Sequence, residues 1–194
     1  TGSGPNSTGL TKYEIASNYT TAIYSGGIVV PASTGTIIIS DQAIAPLGVF
    51  AGVEFVDSGT KKTTFKNYWP GSNNVSVDTN FPVKAFVYDN PSQLYVVAAD
   101  GTNTDRATAL ADVFGNCDMA SVNSGSTNTG QATDLLDIST AATTGTLDVR
   151  IVGLFEDEAN SDYSALGHQY IVRLNHHFNT GMGAAVGTFA TTGI

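Results

Sequence analysis

Charge is what this chain lacks most. Charged residues make up 13% of its 194 positions, against about 25% in an average globular domain. Eight Lys and Arg face 17 Asp and Glu, a net charge of -9. A nucleic-acid binder needs a basic footprint to neutralise phosphates, and so few scattered cations do not supply one. Cysteine is almost missing too. Cys117 is the one present, which excludes an intrachain disulfide framework and a multi-cysteine zinc site. No apolar run approaches the roughly 20 residues that a helical membrane span needs. Residues 1–9 have no basic start leading into an apolar stretch, so they do not read as a signal peptide.

Small neutral polar residues are abundant instead, with 25 Thr, 21 Gly, 16 Ser and 14 Asn. The hydrophobic share is 41%, enough for a packed core at this length. Short β-branched runs bounded by Gly, Pro, Ser and Asn dominate, which is the signature of strands. They cover Gly27–Pro31, Thr36–Ser40, Val49–Asp57, Val83–Asp89, Leu94–Ala98, Leu147–Val152 and His168–His176. Val49, Ala51, Val53 and Phe55 are expected on one face. Ser58–Lys61 reads as a turn that returns Lys62–Tyr68 as a hairpin partner. Asn90-Pro91-Ser92 reads as the turn joining two more paired strands. Asp105–Phe114 alone has helical spacing, with Ala107, Leu110, Ala111 and Phe114 on one side. Thr104 could cap it and Gly115 could end it. Ser121–Thr133 reads as a long loop. The pattern predicts a mainly β fold, an antiparallel β-barrel or sandwich with one short helix and extended terminal arms. The domain reading is a flexible N-terminal arm at 1–26, a β-rich core at 27–178 and an apolar C-terminal tail at 179–194.

Few residues invite chemistry. The three histidines are His168, His176 and His177. On a regular strand, His168 and His176 share a face but stand roughly 26 Å apart. His176 and His177 point to opposite faces, so no metal site is expected from them. Glu156–Asp162 is the densest acidic run and its start imitates a calcium loop. Tyr163 stands where such a loop needs Gly and Gln169 where it needs Glu, which favours a solvated acidic loop. Cys117 has Asp118 beside it, an anion that opposes thiolate formation. No nucleophile elbow or phosphate-binding glycine motif is present. No catalytic residue, metal or cofactor is expected. Asn67-Tyr68-Trp69-Pro70-Gly71 holds the sole Trp beside a Tyr. The pair either plugs the end of the fold, the preferred reading, or stacks on a sugar or partner protein.

The order of these motifs resembles that of small virion structural proteins of tailed bacteriophages, above all capsid decoration (cement) proteins. The resemblance spans Val49 to Phe178. It rests on Asn67–Gly71, on Val83–Asp89 with Asn90-Pro91, and on a Gly/Ser/Thr loop leading to Leu135-Leu136-Asp137. It closes with the pair Leu147–Leu154 and Tyr170–His176. It implies a β-rich, non-enzymatic body on the outer capsid surface of a virion, clamping adjacent subunits of the major capsid protein and stabilising the shell. With that reading goes a homo-oligomer, a trimer being one arrangement; the charge balance and the lack of long apolar runs leave no nucleic-acid or membrane partner expected. The expected interface residues are Tyr68, Trp69, Phe178, Val186, Phe189 and Ile194. The competing readings are a carbohydrate-binding or adhesin module using Tyr68 and Trp69, another virion part such as a tail or fibre subunit, and, last, a hydrolase.

Overall fold

The computed structural model describes residues 9–42, 44–158 and 162–180. The tail positions Val186, Phe189 and Ile194, and the arm before residue 9, lie outside them. Among the described residues the chain is mainly β and antiparallel, with two sheets and one short α-helix. It divides into two compact units. Unit 1 holds residues 9–90 and 122–133, and unit 2 holds 91–121 and 134–180. The single core expected over 27–178 is therefore two cores.

Unit 1 contains β1 (Thr11–Ile15), β2 (Ile28–Pro31), β3 (Ile37–Ile39), β4 (Gly48–Val56), β5 (Thr63–Lys66) and β6 (Val83–Tyr88). The sheet order is β1-β6-β4-β2-β3, with β5 paired on β4. Strand β1 lies inside the segment expected to be an arm. Its period of two was hidden by polar flanks: Ile15 is buried while Lys12 and Glu14 face outward beside Phe86 and Lys84. The long strand β4 changes neighbours along one edge, from β2 at Gly48 and Val49 to β5 beyond Val53. A bulge between Phe50 and Gly52 interrupts its register with β6. The extra residue flips the first half of the strand. Phe50 is thus buried with Val53 and Phe55, and the expected inward positions Val49 and Ala51 are not. Gly48 is indispensable here, because a Cβ would stand 2.2 Å from the Tyr88 carbonyl oxygen.

Unit 2 contains β7 (Tyr95–Ala98), α1 (Arg106–Ala111), β8 (Asn116–Ala120), β9 (Leu135–Ala142), β10 (Val149–Leu154) and β11 (Gln169–Leu174). The order is β7-β11-β10-β8-β9. Asn90-Pro91 does not close a hairpin, since β6 and β7 belong to different sheets; the turn marks the boundary between units. Tyr170, Val172 and Leu174 face inward as their alternation predicts, with Arg173 outside.

In each unit the sheet curls until its end strands approach, β1 to β3 and β7 to β9, without a ladder between them. In unit 2 one isolated parallel bridge, Ala99 to Leu136, links the two ends. Among the described residues, neither sheet closes into a barrel. The mainly β, antiparallel expectation holds in its open, sandwich-like form.

The helix differs from expectation in its cap, length and face. Asp105, not Thr104, is the N-cap, and its carboxylate accepts from Thr108 N at 2.8 Å. The helix ends at Ala111, and Phe114 takes a left-handed φ of +73°. The one residue buried from it is Ala109. Leu110 and Phe114, expected to face the core, are 47% and 82% exposed. Six residues make under two turns, too little for a stripe of four apolar positions to face one way.

Candidate functional site

Trp69 belongs to the core of unit 1, not to an interface. It is fully buried, and its Nε1 donates to the Tyr19 carbonyl at 3.1 Å. Phe55 meets it edge to face at 6.0 Å. The backbone of Ile23 exchanges both hydrogen bonds with that of Trp69, at 2.9 and 2.8 Å. A side chain held this way cannot reach a sugar or a partner. Tyr68 differs. It is half-buried and stacks on Tyr24, with centroids 5.5 Å apart and planes 9° from parallel. The segment 122–133, expected as a loop, is pinned beside this pair. Gln131 bridges Ser25, Gly125 bridges Ala132, and Asn67 Nδ2 donates to the Thr129 carbonyl at 2.5 Å. Gly125 has to be glycine, because a Cβ would stand 2.3 Å from the Tyr24 ring. The pair therefore borders hydroxyl and amide groups. Phe178 lies in a short 3-10 turn (Phe178–Thr180) and is partly exposed.

Two of the histidines, His168 and His177, are buried, whereas His176 is part-buried. His168 is buried in unit 2, with Nδ1 at 3.2 Å from the Ala165 carbonyl and Nε2 at 3.4 Å from the Tyr170 hydroxyl. Tyr170 donates to Asp112 Oδ2 at 3.1 Å and accepts from Asn103 Nδ2 at 2.7 Å. Burial first, then the Asp112 carboxylate, push the Tyr170 hydroxyl well above its ordinary pKa. It acts as a fixed donor at any physiological pH. His177 is buried, with Nδ1 accepting from Asn179 N at 3.1 Å. Among the described residues, no three His, Cys, Asp or Glu converge to hold a metal ion. The Cys117 thiol is pushed up to about 12, by burial first and then by Asp112, Asp137 and Asp118. The sequence foresaw the direction, but burial outweighs its neighbour Asp118.

A cleft of about 550 Å³ lies between the start of α1 and the acidic run after β10. Arg106 crosses it, with Nε 2.6 Å from Glu156 Oε1. The neighbouring acids are largely occupied locally, Asp105 as the helix cap and Asp162 by Ser164 N and Oγ at 3.0 and 2.6 Å. No family model, curated protein or solved structure matches this chain.

The cations are less scattered than the sequence suggests. Lys61, Lys62 and Lys66 crowd one hairpin with Phe65, which is 67% exposed. Lys61 Nζ donates to Asp78 Oδ2 at 2.9 Å, and this bond is the leading cause of a lowered Asp78 pKa. The Asp57 carboxyl is lowered first by Thr60 N, Asp105 by Thr108 N and Asp162 by the Ser164 hydroxyl. All four fall below the unfolded value of 3.8. A depressed carboxyl adds stability that is complete above the unfolded pKa and disappears as pH falls through the folded one. Thermal melts recorded from pH 6 downward should therefore hold their midpoint until about pH 4 and then drop. A midpoint that rises on acidification below pH 4 would contradict this arrangement.

Several large apolar side chains are left on the surface. In unit 1, Phe65 and Phe81 are 67% and 51% exposed; in unit 2, Phe114 and Leu166 are 82% and 71% exposed. None of these was expected at the surface, and Phe114 was assigned to the core face of the helix, because strand and helix periodicity place apolar side chains in a core by default.

Proposed function

We propose that this chain is a non-enzymatic structural protein that works by assembly, decorating the outer surface of a virion capsid and bridging major capsid subunits. The observation that carries the reading is the set of large apolar side chains left exposed on both units, Phe65 and Phe114 foremost. Such side chains, when grouped, mark contact surfaces. The order of sequence motifs supplies the virion setting. The net charge of -9 favours the outside of a DNA-filled shell, where packaged phosphates do not repel it. Particles assembled with the chain should carry it in fixed stoichiometry and lose heat resistance without it. Equal resistance with and without it, and no stoichiometric incorporation, would overturn the reading.

The stacked Tyr24 and Tyr68, bordered by the polar 122–133 segment, favour a second reading as a glycan-binding module. Its arm of the test is a glycan array with wild type and Tyr68→Ala. Reproducible binding lost in the variant would replace the capsid reading with this one.

A further inference from the structure

Two arginines stand directly opposite each other on the outer face of the unit 2 sheet. Arg150 on β10 is in register with Arg173 on β11. Such partners lie about 5 Å apart at Cα, and like charges in that position repel. Their neighbours along both strands, Val149, Ile151, Val172 and Leu174, are buried, so the alternation sends both arginines outward. Among the described residues, the ion pairs go to Lys12, Lys61, Lys84 and Arg106, and none to this pair. Arg150 is aimed rather than neutralised: its Nε donates to Asn116 Oδ1 at 3.0 Å. In a chain with 17 acidic residues, two facing arginines that no carboxylate among the described residues pairs with form a positive spot.

Apolar side chains surround it. Leu94 and Val96 are 48% and 49% exposed, Val152 is 37% exposed and Phe114 is 82% exposed. Leu94, Phe114 and Val152 share with both arginines the lining of a depression of about 300 Å³. The backbone is shaped to present them. A register shift between Ile151 and Gly153 leaves Val152 as a bulge. Phe114 N donates to the Ile151 carbonyl at 3.0 Å, and Ile151 N donates to the Gly115 carbonyl at 2.9 Å. Those bonds hold the Phe114 backbone beside Arg150 at a φ of +73°, a conformation that a bulky residue adopts at a cost. Exposure of the ring and repulsion of the arginines add to that cost.

We propose that this face docks a partner protein segment presenting a carboxylate among apolar side chains. The inference deepens the assembly reading and rests on it, but not on the virion setting. The carboxylate would take charge-assisted hydrogen bonds from Arg150 and Arg173, while Leu94, Val96, Phe114 and Val152 cover its apolar flanks. A second copy docked through the same face across a two-fold axis would bring four arginines together, which disfavours that occupant. A polyanion such as single-stranded nucleic acid would meet two cations against an overall charge of -9.

The test uses the isotope-labelled full chain and a seven-residue peptide alternating Val with Glu. The same peptide with Gln, the same with Lys, and an oligothymidylate serve as comparisons. The Glu peptide should bind about ten-fold tighter than the Gln peptide, with resonance shifts confined to Leu94, Val96, Phe114, Val152 and the two arginines. Arg150→Gln combined with Arg173→Gln should erase that preference; Arg173→Gln alone, which keeps the Arg150–Asn116 hydrogen bond, should weaken it while leaving the thermal midpoint unchanged or raised, since it relieves repulsion. Phe114→Ser should weaken both peptides alike. Equal affinity for the Glu and Gln peptides overturns the inference. So does tighter binding of the oligothymidylate, or self-association in sedimentation that the double arginine variant abolishes. Failure of the peptide test beside a positive particle test sinks the docking face alone. Specific peptide binding beside a negative particle test sinks the virion setting alone.

Discussion

Trp69→Ala should cost unit 1 about 3–5 kcal/mol, the range for removing a large buried aromatic. The indole has no exposed surface and fills the space beside Phe55. It also ties the chain before β2 to the chain before Gly71, through the Tyr19 carbonyl. That carbonyl accepts a second hydrogen bond, from Ser72 N at 2.9 Å. Trp69→Phe should therefore be much milder, losing one hydrogen bond worth about 1 kcal/mol and some volume, without orphaning its acceptor. Denaturant melts followed by circular dichroism, with amide exchange of β4 and β6, would measure both. Near-equal losses for the two variants would mean that the hydrogen bond, not the packing, carries the site. A loss below about 1 kcal/mol for the Ala variant would mean that unit 1 is not organised around this residue.

Tyr170→Ala should be the largest single lesion in unit 2, again about 3–5 kcal/mol. Its ring is fully buried and its hydroxyl joins Asp112, Asn103 and His168. Tyr170→Phe separates the two contributions. The ring volume stays, but Asp112 loses a donor and the buried His168 Nε2 loses its polar neighbour. A cost of about 1–3 kcal/mol is expected for polar groups left unsatisfied. Asp112 Oδ2 keeps a hydrogen bond from Asn103 Nδ2 at 3.2 Å, so the penalty falls mainly on the buried His168 Nε2. Amide exchange in β10 and β11 should rise in both variants, and a Phe variant as stable as wild type would show the network to be dispensable.

Alternation carried most of the strand assignment. Tyr170, Val172 and Leu174 point inward because β11 is regular and paired on both sides. The same rule placed Val49 and Ala51 inward wrongly, because a bulge at position 51 is a property of pairing with β6 rather than of the strand itself. Strands β1, β8 and β9 escaped notice. Each mixes polar and small residues whose value lies in what they face, as when Asp118 on β8 pairs with Asp137 on β9. The helix was legible as an element but not by face, since Leu110 and Phe114 look like core until no sheet covers them.

The site was hardest to read. Tyr68 and Trp69 are adjacent, yet one is a surface stack and the other a core anchor, a difference fixed by Tyr19, Tyr24 and Phe55 far away in sequence. The facing arginines stand 23 residues apart, and only the β10–β11 register brings them opposite each other. Nothing in either local sequence announces the pair. Charge counting showed how few cations there are, but not that two of the three arginines share one spot.

The segment 122–133 belongs to unit 1 although the strands on either side of it, β8 and β9, belong to unit 2. This interleaving sets an order of events at the ribosome. Unit 1 cannot place Gln131 against Ser25 until residues 91–121 have already emerged. The first half of unit 2 must then wait with β7 and β8 unpartnered while the earlier unit finishes. Domains that are contiguous in sequence can mature one after the other; here completion of the first is delayed until the second is half made. Strand edges left open in that interval are where nascent chains would cross-pair.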